Sequence, residues 1–159
     1  MANKKIISAV VFGVGMVLAS IAYSHCQIPC GIYDDKARLN EIAEHITTIE
    51  KSIKTITELS GQEKPNWNQL VRWVDNKDEH ANKLDNIVTY YFMTQRIKPE
   101  AKSDSAAYEK YVKQLTLLHQ MLVYSMKSKQ TTDLANVEKL RELLKEFNAA
   151  YLDEKAGEH

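Results

Sequence analysis

The strongest constraint on the fold is a row of isoleucines at helical spacing. Alternating steps of four and three residues separate them, so they share one face of a helix that turns once in about 3.6 residues. Asp34-Asp35 and Ser60-Gly61 suit the start and end of that helix. The row comprises Ile42, Ile46, Ile49, Ile53 and Ile56, framed by Leu39 and Leu59.

Three more segments repeat this pattern. The second is predicted from about Trp67 to Arg96, the third from about Ser105 to Lys127, and the fourth after a capping stretch at 131–133. Together they predict an all-α fold, an antiparallel four-helix bundle. The predicted inward residues are Leu70, Val74, Ala81, Leu84, Val88 and Tyr91; Tyr108, Tyr111, Val112, Leu115, Leu118, Leu122 and Met126; and Leu134, Val137, Leu140, Leu144, Phe147 and Tyr151.

The first 24 residues have the features of a leader. Lys4 and Lys5 precede an uncharged apolar run from Ile6 to Ala22, and Ala22-Tyr23-Ser24 fits a small-x-small cleavage site. We predict a signal peptide at 1–24, removed before His25, and one domain at 25–159. An uncleaved membrane anchor is the alternative. Export would place the mature protein in the periplasm or outside a bacterium, whereas a leader that is only a pro-segment would leave it cytoplasmic.

Bulk charge points to no polyanionic partner. The chain has 21 basic and 21 acidic residues and a net charge of +0. Since nucleic-acid binding relies on a basic surface, we expect no nucleic acid among the partners. Common catalytic motifs are also missing from the sequence: it has no Gly-x-Ser-x-Gly, no Gly-rich phosphate loop, and neither the Glu-x-x-His of di-iron bundles nor His-Glu-x-x-His.

Both cysteines lie just after the predicted cleavage site, at Cys26 and Cys30. A structural disulfide is one interpretation, but a loop this short gains little stability from closure. The other is a metal-binding hook. Cleavage would free the amine of His25, which with the Cys26 amide nitrogen and two thiolates makes a flat N₂S₂ donor set. Such a set suits Ni(II) or Cu(II) better than tetrahedral Zn(II), and Pro29 and Gly31 favour the required turn.

These residues carry a family resemblance. His25-Cys26-x-x-Pro29-Cys30-Gly31-x-Tyr33 resembles the N-terminal nickel hook of nickel superoxide dismutases. The resemblance implies one nickel ion per chain, held by His25, Cys26 and Cys30 in a hook shaped by Pro29 and Gly31. It also implies anion-pocket tyrosines at Tyr33 and Tyr91, a glutamate at Glu41 that fixes the His25 imidazole, and assembly of the subunits into homohexamers.

The function implied is dismutation of superoxide to O₂ and H₂O₂ by Ni(II)/Ni(III) cycling. The alternatives are a nickel or copper binding or storage module without turnover, and a structural bundle with a disulfide or an uncleaved anchor. The chain departs from the family pattern at Gln27, where an aspartate is frequent. A basic residue of the second helix is also expected near the glutamate, and Arg72 and Lys77 are the candidates.

Overall fold

A computed structural model describes residues 34–155, with side chains as far as Leu152. Within this range the chain forms α1 (Asp35–Ser60), α2 (Trp67–Asn86), a π-helical segment (Ile87–Arg96), α3 (Ser105–Gln130) and α4 (Ala135–Lys155). The described part contains no strand. The predicted leader and hook precede residue 34 and lie outside the described residues.

The helices pack as a closed ring of neighbours. α1 lies against α2 and α4, and α3 also lies against α2 and α4. Consecutive helices are therefore adjacent and joined by short connections, which is the arrangement of an antiparallel bundle. The prediction of an all-α four-helix bundle is confirmed.

The isoleucine row of α1 forms a central part of the core. Ile42, Ile49 and Ile53 are completely buried, and Ile46 nearly so. The side chain of Asp34 caps the helix by accepting a hydrogen bond from the backbone N–H of Lys36 at 2.9 Å. Apolar periodicity and cap thus specify both the orientation and the start of α1, as the sequence predicted.

The second predicted helix changes its geometry after Asn86. From Ile87 to Arg96 it continues as a π-helix, in which each backbone hydrogen bond joins residues five apart instead of the four of an α-helix. Two side chains also bond to carbonyls five residues earlier: the Thr94 hydroxyl donates to the Thr89 carbonyl at 2.7 Å, and the Gln95 amide donates to the Tyr90 carbonyl at 2.7 Å. The sequence predicted one uninterrupted α-helix here, because its apolar spacing does not distinguish the two geometries.

The predicted inward face of α3 is wrong in part. Leu118 is buried, but Val112 and Met126 are 41% and 45% exposed. The buried face is rotated and carries polar residues that bond to backbone carbonyls: Gln114 donates to Ala150 at 2.9 Å and Ser125 to Ala81 at 3.3 Å. An apolar pattern cannot reveal this face, because these partners lie on other helices. Its members are Gln114, Leu117, Leu118, Met121, Ser125 and Ser128.

A lysine is buried on the inward side of α2, between the predicted inward residues Val74 and Ala81. Lys77 is 3% exposed, and its ammonium group donates to the carbonyls of Lys129 and Thr131 at the end of α3. Burial lowers the pKa of Lys77. Val74, predicted to face inward, is 39% exposed. No helix in the described range is both long and apolar enough to span a membrane.

A histidine pair joins α1 to α2. The Nδ1 atoms of His45 and His80 lie 3.1 Å apart, and the rings meet edge to face. Burial is the main cause that lowers the pKa of each ring. The charges of His80 and Lys83 also lower the pKa of His45, whereas Glu41 and Glu44 raise it. The charge of Lys83 also lowers the pKa of His80, whereas Glu79 raises it. The folded pair therefore favours the neutral form.

This pair predicts that acid weakens the fold. As the pH falls, the histidines of the unfolded chain take up protons near their ordinary pKa of 6.5, at a higher pH than the folded pair does. Stability from the pair is thus complete above pH 6.5 and is lost as the pH falls through the lowered values. In His80→Gln, urea unfolding should show a smaller loss of unfolding free energy between pH 7.5 and pH 5 than in the unchanged protein.

The exposed His119 of α3 provides the control. His119→Gln should retain the full pH dependence. Equal slopes in both variants and the unchanged protein would contradict a contribution from the pair.

Candidate functional site

Two of the predicted site residues lie within the described part of the chain, Glu41 on α1 and Tyr91 on the π-helical segment. The rest precede Asp34, the residue that caps α1, and lie outside the described residues. These are His25, Cys26, Pro29, Cys30, Gly31 and Tyr33.

Metal-binding chemistry is concentrated before residue 34. No group of three or more His, Cys, Asp or Glu side chains within residues 34–155 is arranged to hold a metal ion. The chain has two cysteines, and both belong to the stretch 25–33, together with a histidine. Thiolate and imidazole are donors that suit nickel. The residue types present in 25–33 are therefore chemically suited to a nickel ion.

A buried carboxylate lies at the start of α1. Asp35, the first residue of α1, is 6% exposed. It accepts hydrogen bonds from the hydroxyl of Tyr91 and, at 2.9 Å, from that of Tyr151, and it pairs with the guanidinium of Arg96 at 2.8 Å. A carboxylate can be buried only when its charge and lone pairs are satisfied, as they are here by two hydroxyls and a cation. We call these four residues the Asp35 cluster.

The π-helix is what aligns the cluster. Arg96 follows Tyr91 by five residues, donates to its hydroxyl at 2.9 Å and lies 4.7 Å from the centre of its ring. In an α-helix, residues five apart are separated by about 140° around the axis and face different directions. The π geometry places them one above the other, so that the hydroxyl and the guanidinium both reach Asp35.

Both tyrosines of the cluster keep their protons. Burial raises the pKa of Tyr91, and its hydrogen bond to Asp35 raises it further. The same two causes raise the pKa of Tyr151. At neutral pH the two hydroxyls are therefore donors to the carboxylate, and the formal charges of Asp35 and Arg96 cancel.

Glu41 lies one to two turns further along α1. One of its carboxylate oxygens pairs with Arg38, and the other lies 3.9 Å from Nε2 of His45. The guanidinium of Arg38 also lies 5.9 Å from the centre of the Tyr91 ring. Arg38 therefore contacts both predicted site residues of the described part, although they belong to different segments.

Neither candidate for the basic residue expected on the second helix pairs with Glu41 in the described part of the chain. Lys77 is committed to carbonyls at the end of α3, and Arg72 is exposed. Among the described residues, the cation that pairs with Glu41 is Arg38, from α1 itself. The i, i+3 spacing of Arg38 and Glu41 permits this contact on any helix and could have been read from the sequence.

A small basic cavity adjoins the Asp35 cluster. It has a volume of about 160 Å³, and Arg96 and Tyr151 form part of its wall. Lys98 and Lys110 add positive charge, against the single carboxylate of Glu100. Arg96 thus faces both the buried carboxylate and this cavity.

Sequence reasoning missed Asp35, Arg96 and Tyr151 as a unit, because 56 and 116 residues separate Asp35 from its two tyrosines.

Comparison with known proteins identifies the chain. The family model described as nickel-containing superoxide dismutase matches residues 20–155. No curated protein and no solved structure gives a match. The four-helix bundle agrees with this family, and the match covers most of the chain. The protein therefore belongs to the nickel-containing superoxide dismutases, oxidoreductases that carry nickel and act on superoxide.

Proposed function

We propose that residues 25–33 form the nickel site of this dismutase, with His25, Cys26 and Cys30 as the ligands. The observation that carries the proposal is the position of the only two cysteines, both in this stretch and next to a histidine. The lack of a metal-binding group among residues 34–155 agrees with it. The family match also begins at residue 20, before this stretch.

Dismutation removes an electron from one superoxide ion and adds it, with two protons, to another. Nickel bound by thiolates supplies the one-electron exchange, because electron-rich donors bring its higher oxidation state within reach. The residues of the chain must hold the donors, admit a small anion and exclude bulk water. Pro29 and Gly31 are suited to the turn that brings Cys30 back towards Cys26.

Cleavage of the leader before His25 is part of this proposal. A free α-amine can ligate a metal, whereas the acylated nitrogen of an uncleaved chain cannot do so in the same way. A leader-removing protease would therefore create one of the ligands. The basic start, apolar run and small residues at 22–24 favour export, to the periplasm or outside the cell. Two cysteines in an oxidising compartment would then depend on nickel to stay out of a disulfide.

Glu41, Tyr33 and Tyr91 would surround the nickel site. Glu41 is a suitable partner for the second nitrogen of the His25 imidazole, because it is partly exposed and Arg38 pairs with only one of its two oxygens. Tyr91 would contribute a neutral ring and a fixed hydroxyl, since its proton is held by Asp35. Tyr33 precedes Asp35 by two residues, so the Asp35 cluster anchors the chain close to it.

Assembly into homohexamers is proposed from the family resemblance. One nickel per chain and six chains would make a particle with six sites. An exposed apolar strip on the first two turns of α2 supports self-association. Trp67 is 70% exposed, Val71 60% and Val74 39%, and such strips commonly mark interfaces.

Native mass spectrometry of the purified protein tests processing, metal content and assembly together. We expect six copies of a chain that begins at His25, with one nickel ion per copy. A chain beginning at Met1 would contradict the amine ligand. Zinc in place of nickel would contradict the proposed donor chemistry.

Replacing a thiolate tests the ligand assignment. Cys26→Ser should lose bound nickel and at least about 100-fold in kcat/KM, because a hydroxyl remains protonated at neutral pH and is a poor nickel ligand. His119→Gln is the control for a change outside the site. Retention of nickel with full turnover in Cys26→Ser would refute the assignment. Retention of nickel without turnover would support Cys26 as the thiolate that makes the higher oxidation state accessible, with the other donors still holding the ion.

Asp35→Asn tests the anchor. The amide offers one acceptor oxygen in place of two and no charge for Arg96, so we expect a loss of about 2 kcal/mol of unfolding free energy and faster release of nickel. Asp34→Asn is the matched control, because an asparagine at the exposed neighbouring position still caps α1. Equal stability of the two variants in urea unfolding would show that the Asp35 cluster does not anchor this end of the bundle.

A further inference from the structure

We propose that His45, oriented by a hydrogen bond from His80, is a positioning residue for Glu41. The inference rests on the proposed function in one respect, namely that Glu41 contacts the imidazole of His25. It adds two residues, on two helices, whose part in the site neither the sequence pattern nor the family match assigns.

The first step is the unsatisfied nitrogen of His45. Its Nε2 is buried and has no hydrogen-bond partner within the described residues. The carboxylate oxygen Oε1 of Glu41 lies 3.9 Å from this atom, just beyond hydrogen-bond distance. The Glu41 side chain is 39% exposed and has room to close the gap. A protonated Nε2 would attract the carboxylate, and a bare Nε2 would set its lone pair against it.

The second step is the proton between the two rings. The Nδ1 atoms of His45 and His80 are 3.1 Å apart, so one must donate and the other accept. If Nε2 of neutral His45 carries the proton, its Nδ1 is the acceptor and Nδ1 of His80 is the donor. The contact between the rings allows either direction, but the Glu41 carboxylate beside Nε2 favours the tautomer that carries the proton there. The donors then point one way, from His80 to His45 and from His45 towards Glu41.

The third step is the balance of charge. Arg38 pairs with the other oxygen of Glu41, so the carboxylate is held from two sides by groups of α1. His45 and His80 stay neutral at physiological pH, because burial lowers the pKa of both. Lys83 and Glu79 of α2 and Glu44 of α1 are the other charges that act on the pair. His45 can thus orient Glu41 without neutralising its negative charge, which leaves that charge for the His25 imidazole.

Nitrogen NMR of the reduced, nickel-loaded protein tests the tautomers directly. Long-range ¹H–¹⁵N spectra distinguish protonated from bare ring nitrogens. We expect the proton of His45 on Nε2 and that of His80 on Nδ1. The opposite tautomer of His45, or a charged pair at pH 7.5, would overturn the proposal. So would a second metal ion per chain that disappears in His80→Leu, because the two Nδ1 atoms would then be ligands.

Variants at the half-buried His80 test the effect on the site. His80→Leu removes the donor, so His45 should lose its single tautomer and kcat/KM should fall about 10-fold, as is usual for outer partners of a metal site. His80→Gln keeps an N–H donor and should restore most of the activity and the Nε2 proton of His45. Equal losses in both variants, or none, would overturn the proposal, and His119→Gln controls for removal of a histidine.

The two proposals fail in different ways. A wrong tautomer in NMR refutes the role of His45 and leaves the nickel ligands untouched. Full turnover and nickel retention in Cys26→Ser refute the ligands, while the tautomers of His45 and His80 stay as they are.

Discussion

The burial of one carboxylate organises the end of the bundle at which α1 begins. Asp35 has a formal charge and lies in the interior, a combination that is costly unless donors surround it. Tyr91, Arg96 and Tyr151 provide them, from the π-helical segment and from α4. The first turn of α1 is therefore tied to two other segments at once.

The π-helix is best understood through this requirement. A π-helical segment of ten residues, with hydrogen bonds between residues five apart, is unusual, and helices of this kind tend to occur near functional sites. Its effect here is to stack Arg96 on Tyr91, so that a cation and a hydroxyl reach the same carboxylate. An α-helical continuation would turn one of them away. We infer that the favourable pairing of the buried charge compensates for the less common backbone geometry.

Arg38 connects the two groups of polar residues near the start of α1. Arg38 pairs with Glu41 and approaches the face of Tyr91, which connects the Asp35 cluster to the histidine pair across α1 and α2. Within residues 34–155, Arg38 is the cation that pairs with Glu41, and the neighbouring histidines and tyrosine are neutral. A carboxylate paired in this way is suited to orient an imidazole, because it keeps acceptor capacity for another donor.

The sequence by itself determined the helices, the buried faces of α1 and α4, the all-α class and the concentration of both cysteines in 25–33. These depend on local spacing and on residue type, which are visible along the chain. Tertiary structure decided the rotated face of α3, the buried Lys77 and the change to a π-helix. It also brought together Asp35, Tyr91, Arg96 and Tyr151. Each depends on a polar partner from a distant segment, and the free energy of burying a polar group depends on such partners, which no local pattern contains.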